Sequence, residues 1–167
     1  LKKRKDVDIV ALCDINPENL QRRQHEFGGA GFADFHAMLD AVDLDAVWLC
    51  TPPQVRREPL LACAERGLPV FCEKPVERDL RKAETIAAEL EDRSAHVQVG
   101  YVFRTMPIVQ RLREAMADDS IHLVQSLYAC GVSLSRGLAS WFYDKARSGG
   151  ALVDQATHNL DLLRSLM

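Results

Sequence analysis

Short apolar runs alternate with amphipathic stretches along the first hundred residues of the chain. Four runs are nearly continuous, which is typical of strands covered on both faces of a parallel sheet. They span residues 8–13, 46–50, 68–72 and 96–99. Apolar residues at helical spacing predict helices at residues 17–27, 35–41, 55–66 and 78–92. This order predicts βαβ units and an α/β fold with a doubly wound parallel sheet.

Residues that favour helix starts and stops stand at the predicted boundaries. Asn16 suits an N-cap and Pro17 the first helical position, while Gly67 is typical of a helix C-terminus. In a doubly wound sheet the ligand binds at the carboxyl ends of the strands. The residues at those ends are Asp14, Thr51-Pro52, Glu73-Lys74-Pro75 and Gly100-Tyr101.

The pattern changes after Gly100. We predict a helix at residues 106–116, a strand of a different sheet at 123–130, an irregular stretch around Trp141 and a helix from residue 151 onward. Residues 1–102 are predicted to be an N-terminally truncated dinucleotide-binding domain, and residues 103–167 the beginning of a substrate domain. Because the chain begins with Leu1 and stops at Met167 inside a helical pattern, we expect a fragment of a longer protein.

Composition and charge argue against some classes of function but do not identify the function. Apolar residues make up 47% and charged residues 27% of the chain, as in ordinary globular proteins. The net charge of −3 gives no general attraction to nucleic acid or to an anionic membrane. No apolar run approaches the roughly 20 residues that span a bilayer. We therefore expect a small-molecule substrate and neither a nucleic-acid nor a membrane partner.

The five cysteines are odd in number, and no pair has C-x-x-C spacing. Cys13, Cys50 and Cys72 fall in or at the ends of apolar runs. We interpret them as reduced core thiols of a cytoplasmic protein. No two Cys or His residues have ligand-like spacing on a shared turn, so we predict no metal site.

Two residues at strand ends are candidates for binding a nucleotide. Asp14 can accept hydrogen bonds from both hydroxyls of an adenosine ribose and would repel a 2′-phosphate, which favours NAD over NADP. An ordinary turn or N-cap aspartate explains it equally well. Lys74 follows a buried strand and precedes a proline. Beside a nicotinamide it could hydrogen-bond a substrate hydroxyl or pass a proton.

Asp154 and His158 are four positions apart in a helical stretch, which places their Cβ atoms about 6 Å apart on one face. A histidine near a carboxylate suits a general base for a substrate hydroxyl. The same spacing is found in plain helical hydrogen-bonded pairs, and Asp161 on this face fits a solvated residue equally well.

Taken together, these motifs resemble the glucose–fructose oxidoreductase / inositol dehydrogenase (Gfo/Idh/MocA) family. The resemblance covers nearly the whole chain in the right order, and its E-K-P and G-G-x-x-x-D-x-x-x-H elements are specific in combination. The matching motifs are Asp14, Thr51-Pro52-Pro53, Cys72-Glu73-Lys74-Pro75, Gly100-Tyr101-x-x-Arg104 and Gly149-Gly150-x-x-x-Asp154-x-x-x-His158-x-x-Asp161.

The resemblance implies a Rossmann domain followed by an α+β domain with an open, mostly antiparallel sheet. It also implies NAD(P)-dependent hydride transfer at a secondary alcohol of a sugar, inositol or related polyol, by an enzyme that is a homo-oligomer in its full-length form. The roles it implies are Lys74 for substrate and nicotinamide, Asp154 for substrate, His158 for catalysis, Asp14 for the adenosine ribose, Thr51 and Pro52 for the cofactor, and Glu73 for the nicotinamide ribose. The Lys74–Pro75 bond is expected to be cis, as in family members.

The chain departs from the family pattern in two places. The family's first strand and G-x-G-x-x-G turn should lie just before Leu1, so we expect the chain alone to bind NAD poorly. Many members also have a histidine where this chain has Arg56, which bears on the nicotinamide side of the site and on the substrate class.

Two alternative functions remain open. Some members of the family use bound NAD for a redox-assisted glycosidase reaction without net oxidation. A non-catalytic sensor, in which a dinucleotide or sugar controls the binding of a partner, belongs to a different class. Lys74, Asp154 and His158 argue against the sensor.

Overall fold

Parallel strands and helices alternate through the first hundred residues of the computed structural model, which describes residues 4–117, 121–127, 143–150 and 152–167. The strands are β1 (Ala11–Cys13), β2 (Ala30–Phe32), β3 (Val47–Leu49), β4 (Val70–Cys72) and β5 (Val97–Val99). The helices connecting them are α1 (Pro17–Phe27), α2 (Phe35–Ala41), α3 (Arg57–Glu65) and α4 (Leu80–Asp92). Apart from β2, this is the alternation that the sequence predicts.

The later part of the chain is mainly helical where it is described. Its elements are α5 (Pro107–Ala115), α6 (Lys145–Ser148) and α7 (Thr157–Leu166). A π-helical turn, Leu152–Ala156, leads directly into α7. Two 3₁₀ turns, Pro53–Val55 and Val102–Thr105, follow β3 and β5. Both 3₁₀ turns therefore lie beyond the carboxyl ends of strands.

The strands form two parallel sheets. β1 pairs with β2, and β3, β4 and β5 pair in that order. In the larger sheet Leu49 lies opposite Cys72, and Cys72 lies opposite Val99. The last residues of these strands are thus level, and the segments that follow them begin at one edge of the sheet.

One apolar core joins the elements around both sheets. Leu60 and Cys72 have no exposed surface, and Ile86 is almost completely buried. Phe32 of β2 and Phe35 of α2 pack against the same core. The buried members of this cluster are Met38, Leu39, Leu49, Leu60, Ala62, Cys63, Val70, Cys72 and Ile86.

The structure confirms the predicted helices at residues 17–27 and 35–41. Asn16 is the N-cap of α1, and its side chain accepts from the backbone nitrogens of Glu18 and Asn19. The sequence did not predict β2, because three residues that include Ala30 and Gly31 carry almost no hydrophobic signal.

Several expectations about burial and strands are wrong. Residues 121–127 are neither helical nor a strand. Leu123 and Leu127 are almost fully exposed, so the alternation there does not reflect a buried face. The rest of the predicted strand and Trp141 lie outside the described residues. Trp48 in β3 is 46% exposed, so this strand is not covered on both faces.

The cysteines that the structure describes divide into two groups. Cys72 is a core thiol as predicted, but Cys13 and Cys50 are exposed. The physical reason is the place of each strand in its sheet: Cys72 ends β4, which lies between β3 and β5, whereas Cys13 ends β1 of the two-stranded sheet and Cys50 follows β3, an edge strand. Both therefore stand at the edge of a sheet rather than under its helices.

Candidate active site

The residues that follow β3, β4 and β5 meet at one edge of the larger sheet. The backbone nitrogen of Glu73 donates to Leu49 at 3.0 Å, and that of Gly100 donates to Cys72 at 2.8 Å. A Cβ on Gly100 would lie 3.3 Å from Glu73 Oε2 and 3.2 Å from the ring of Phe71. Glycine at position 100 therefore lets the Glu73 side chain lie close against the backbone of the neighbouring strand.

The loop after β4 reaches the π-helical turn far along the chain. The Lys74–Pro75 bond is cis, as expected from the resemblance. Lys74 Nζ donates to the backbone oxygen of Asp154 and lies 3.3 Å from its Oδ1. The two side chains are only 14% and 9% exposed. The structure thus brings together two predicted site residues that are 80 positions apart in sequence.

A tight glycine turn precedes Asp154. Gly149 has a φ of +84°, which a side chain would strain. A Cβ there would also lie 2.8 Å from Cβ of Val153. Gly149 therefore allows α6 to turn sharply into the segment that carries Asp154.

The carboxylate of Asp154 is directed toward Lys74 and toward its own neighbour. Its Oδ2 accepts from the side-chain nitrogen of Gln155. The segment Leu152–Ala156 is a π-helical turn, so the Asp154–His158 spacing is not that of a regular α-helix. Asp154 makes no hydrogen bond to His158 among the described residues, and the buried Nδ1 of His158 has no hydrogen-bond partner there.

His158 lies in the first turn of α7, between aromatic rings. It stacks on Phe103 with the ring centres 4.8 Å apart, and Tyr101 meets it edge-on. Burial, and then the positive charge of Lys74, lower the pKa of His158 below its ordinary value. A histidine with a lowered pKa is neutral at neutral pH and has an unprotonated ring nitrogen that can accept a proton.

Asp161 is a structural anchor in this fold rather than a solvated residue. Arg104 Nε donates to Asp161 Oδ2 at 2.6 Å, and a second guanidinium nitrogen donates to Oδ1. The Asp161 side chain is largely buried. Such two-point pairs fix orientation as well as distance. This pair holds α7, and with it His158, against the 3₁₀ turn after β5.

Among the predicted nucleotide-binding residues, Asp14 lies apart from the others at the end of β1. Its Oδ1 accepts from the backbone nitrogen of Asn16 at 2.8 Å. Asn16 is the N-cap of α1, so Asp14 is not; its bond to the nitrogen two residues on forms an Asx turn, which agrees with the interpretation of Asp14 as a turn aspartate. Thr51 and Pro52 follow β3, and Thr51 Oγ1 is buried without a hydrogen-bond partner in the described part of the chain.

Arg56 is the residue of this region whose importance the sequence did not reveal. It lies at the junction of the Pro53–Val55 turn and α3, where its side chain is 3% exposed. Its guanidinium donates to backbone oxygens of Thr51, Glu73 and Pro75. Burial lowers the pKa of Arg56. The only signal in the sequence was an arginine where the family pattern has histidine.

Two features are absent from the described residues. Across the described residues, no group of three or more His, Cys, Asp or Glu side chains is arranged to hold a metal ion. In the same part of the chain, no helix is long and apolar enough to cross a membrane.

Comparison with known proteins identifies similar sequences along both parts of the chain. Residues 1–101 match a family model described as an oxidoreductase family with an NAD-binding Rossmann fold. Residues 109–167 match the GFO/IDH/MocA C-terminal domain.

Individual relatives agree with the family models. The chain is 32% identical to the rhizopine catabolism protein MocA of Rhizobium meliloti over 96% of this chain and 49% of the relative. It is 27% identical to an inositol 2-dehydrogenase of Rhizobium meliloti over 97% and 48% of the two chains. A dehydrogenase structure from Chromobacterium violaceum, 31% identical, has a TM-score of 0.73 over 97% of this chain and 47% of its own. The chain spans about half the length of these relatives.

Proposed function

The chain belongs to the GFO/IDH/MocA oxidoreductase family, and on that premise we propose that the whole protein oxidises a secondary alcohol of a sugar, inositol or related polyol with NAD. The observation that carries this proposal is the contact of Lys74 with Asp154 beside a histidine whose pKa is lowered. The names of relatives such as inositol 2-dehydrogenase support the substrate class.

His158 is the proposed general base. Oxidation of an alcohol requires that its hydroxyl lose a proton, and a neutral imidazole can take it. Burial and the charge of Lys74 keep His158 in that neutral form. The stacking on Phe103 and the Arg104–Asp161 pair fix the ring and the helix that carries it.

Lys74 and Asp154 are proposed to bind and orient the alcohol. Lys74 has three ammonium donors, and two of its contacts are to Asp154. The reacting hydroxyl can accept from the ammonium while its proton faces His158, and a second hydroxyl of the polyol can donate to the Asp154 carboxylate. The positive charge also stabilises oxygen as it loses its proton.

The described residues fit a dinucleotide at the carboxyl edge of the sheets. Thr51 Oγ1 is buried and lacks a hydrogen-bond partner among the described residues, which suits contact with a bound polar group. Asp14 would hold the adenosine ribose, Thr51 and Pro52 would line the cofactor, and Glu73 would lie at the nicotinamide ribose. Bound NAD supplies the acceptor for the hydride that leaves the carbinol carbon.

The preference for NAD over NADP rests on Asp14. A carboxylate at the end of β1 can accept from ribose hydroxyls and repels a 2′-phosphate. Assembly as a homo-oligomer is a further expectation, which light scattering of the whole protein would test.

The direct test is to assay the whole protein with a panel of inositols, sugars and polyols, using NAD and NADP separately. We expect NADH formation with at least one member of the panel and a lower KM for NAD than for NADP. Cleavage of glycosides without added cofactor and without net NADH would instead favour the redox-assisted glycosidase. Dinucleotide binding with no turnover of any compound would favour the sensor.

A further inference from the structure

Arg56 joins the two loops that carry the candidate active site, and we propose that it is the positioning residue for Lys74. Its Nε donates to the backbone oxygen of Thr51 at 2.7 Å. Its Nη1 donates to the backbone oxygens of Glu73 and Pro75. One buried guanidinium thus fastens the turn after β3 to the loop after β4.

The two carbonyl groups that Nη1 contacts belong to the residues on either side of Lys74. The backbone of Lys74 is therefore held from both directions, while its Nζ contacts the backbone oxygen and Oδ1 of Asp154. Hydrogen bonds need donor–acceptor distances of about 2.7–3.2 Å. A displacement of the loop by an ångström would lengthen the contacts of the ammonium with Asp154 beyond this range.

Arginine suits this position because its planar guanidinium presents five donors in fixed directions. Lysine would keep the charge but donate from a single nitrogen on a flexible stem. Histidine would offer two ring nitrogens, and only the protonated ring donates from both. Neither side chain reproduces three simultaneous contacts to two loops, so this chain depends on arginine for the geometry of its Glu73-Lys74-Pro75 loop.

If Arg56 only stabilised the fold, its loss would lower thermal stability without changing the reactivity of the Lys74 amine. A positioning residue changes the reactivity of the Lys74 amine itself. Lys74 is mostly buried and hydrogen-bonded, so an acylating reagent should modify it slowly in the wild type. Lys82 on α4 is exposed and serves as an internal reference.

The experiment treats the whole protein with limiting acetic anhydride and measures the ratio of Lys74 to Lys82 acetylation by peptide mass spectrometry. Arg56→Met loses three hydrogen bonds, and we expect the ratio to rise at least about tenfold, the effect of losing one charge-assisted hydrogen bond. Arg57→Met is the matched control, because Arg57 is exposed and pairs with Glu89 on the outside of α4. A ratio in folded Arg56→Met equal to that of Arg57→Met would overturn the proposal.

If circular dichroism shows that Arg56→Met does not fold, Arg56→Lys and Arg56→His carry the same test. Both variants lose the planar guanidinium and its fixed donors. The acetylation ratio must therefore rise above the wild-type value in both, and Arg56→Lys should be closest to wild type. A wild-type ratio in both folded variants contradicts a positioning role.

The kinetic form of the test rests on the proposed function. Arg56→Lys should lower kcat for alcohol oxidation about tenfold, while Arg57→Met keeps the wild-type kcat. An unchanged kcat in Arg56→Lys would contradict positioning of Lys74. A wild-type protein that oxidises no alcohol would overturn the proposed function alone, since the acetylation ratio is measured without turnover.

Discussion

The candidate site residues at the ends of β4 and β1 differ in their contacts: Lys74, beyond β4, contacts a distant part of the chain, and Asp14, after β1, contacts its own turn. At the end of β4, Lys74 contacts Asp154 across 80 positions, and His158 lies close enough for the Lys74 charge to lower its pKa. At the end of β1, Asp14 contacts Asn16, its neighbour two positions along. The two strands also belong to separate sheets.

This difference separates the proton-handling groups near the end of β4 from Asp14, the residue proposed to hold the adenosine ribose. Lys74 and Asp154 contact each other directly, and the charge of Lys74 acts on His158, so each should be sensitive to the loss of another. Asp14 follows β1 and Thr51 lies just beyond β3, and the Asp14 side chain bonds within its own turn. Substitutions at the two ends should therefore have different kinetic signatures.

The largest effect is expected for His158→Ala in the whole protein. Removal of a general base should lower kcat by roughly 10²–10⁴-fold, while the KM for NAD changes little. Steady-state kinetics with the best polyol of the panel provide the measurement. Near-normal turnover in a folded His158→Ala variant would remove His158 from its assigned role.

A smaller loss is expected for Lys74→Met, which removes the ammonium but keeps much of the apolar stem. Loss of one charged hydrogen-bond donor from the site should lower kcat/KM for the alcohol by about 10–100-fold. The exposed Lys82→Met on the neighbouring α4 is the control. Equal kcat/KM values in the two variants would mean that Lys74 does not act on the substrate.

Asp14→Ala should affect the cofactor rather than the alcohol. We expect the KM for NAD to rise about tenfold, the effect of losing a charge-assisted hydrogen bond to the ribose. The KM for NADP should fall or stay constant, because a repulsive carboxylate is removed. The ratio of the two KM values measures this change. A ratio equal to that of the wild type would show that the end of β1 does not contact the ribose.

The smallest effect is a shift in the titration of His158. Its pKa should lie below about 6.5, the ordinary value for histidine, and the acidic limb of the kcat/KM profile should follow it. Lys74→Met should raise this pKa, because a positive charge that opposes protonation is removed. Nuclear magnetic resonance of the imidazole protons gives both values. A pKa that falls in Lys74→Met would contradict the assigned proximity.

The sequence predicted elements whose signals are local and strong. Helix α1 has its N-cap, its proline and a closing glycine in sequence, and its predicted bounds are confirmed. β2 was missed because a three-residue strand with two small residues has no periodicity to detect. The exposure of Trp48 was equally hidden, because burial depends on which elements cover a sheet and not on the strand itself.

The sequence identified the residues of the candidate site but not the contacts between them. Lys74, Asp154 and His158 came from motifs and resemblance. The π-helical turn that directs Asp154 toward Lys74, and the backbone contacts of Arg56, depend on long-range packing. A buried arginine that donates to main-chain oxygens has no sequence signature, since its acceptors are present in every residue.

The central claim is that the whole protein moves hydride from a secondary alcohol to NAD at the site formed by Lys74, Asp154 and His158. The most direct measurement uses a polyol or sugar of the active class with deuterium on its carbinol carbons and analyses the reduced cofactor by mass spectrometry. The account predicts deuterium in the NADH formed by the wild type and a sharply lower rate in His158→Ala. Reduced cofactor without deuterium, or an equal rate in His158→Ala, would contradict it.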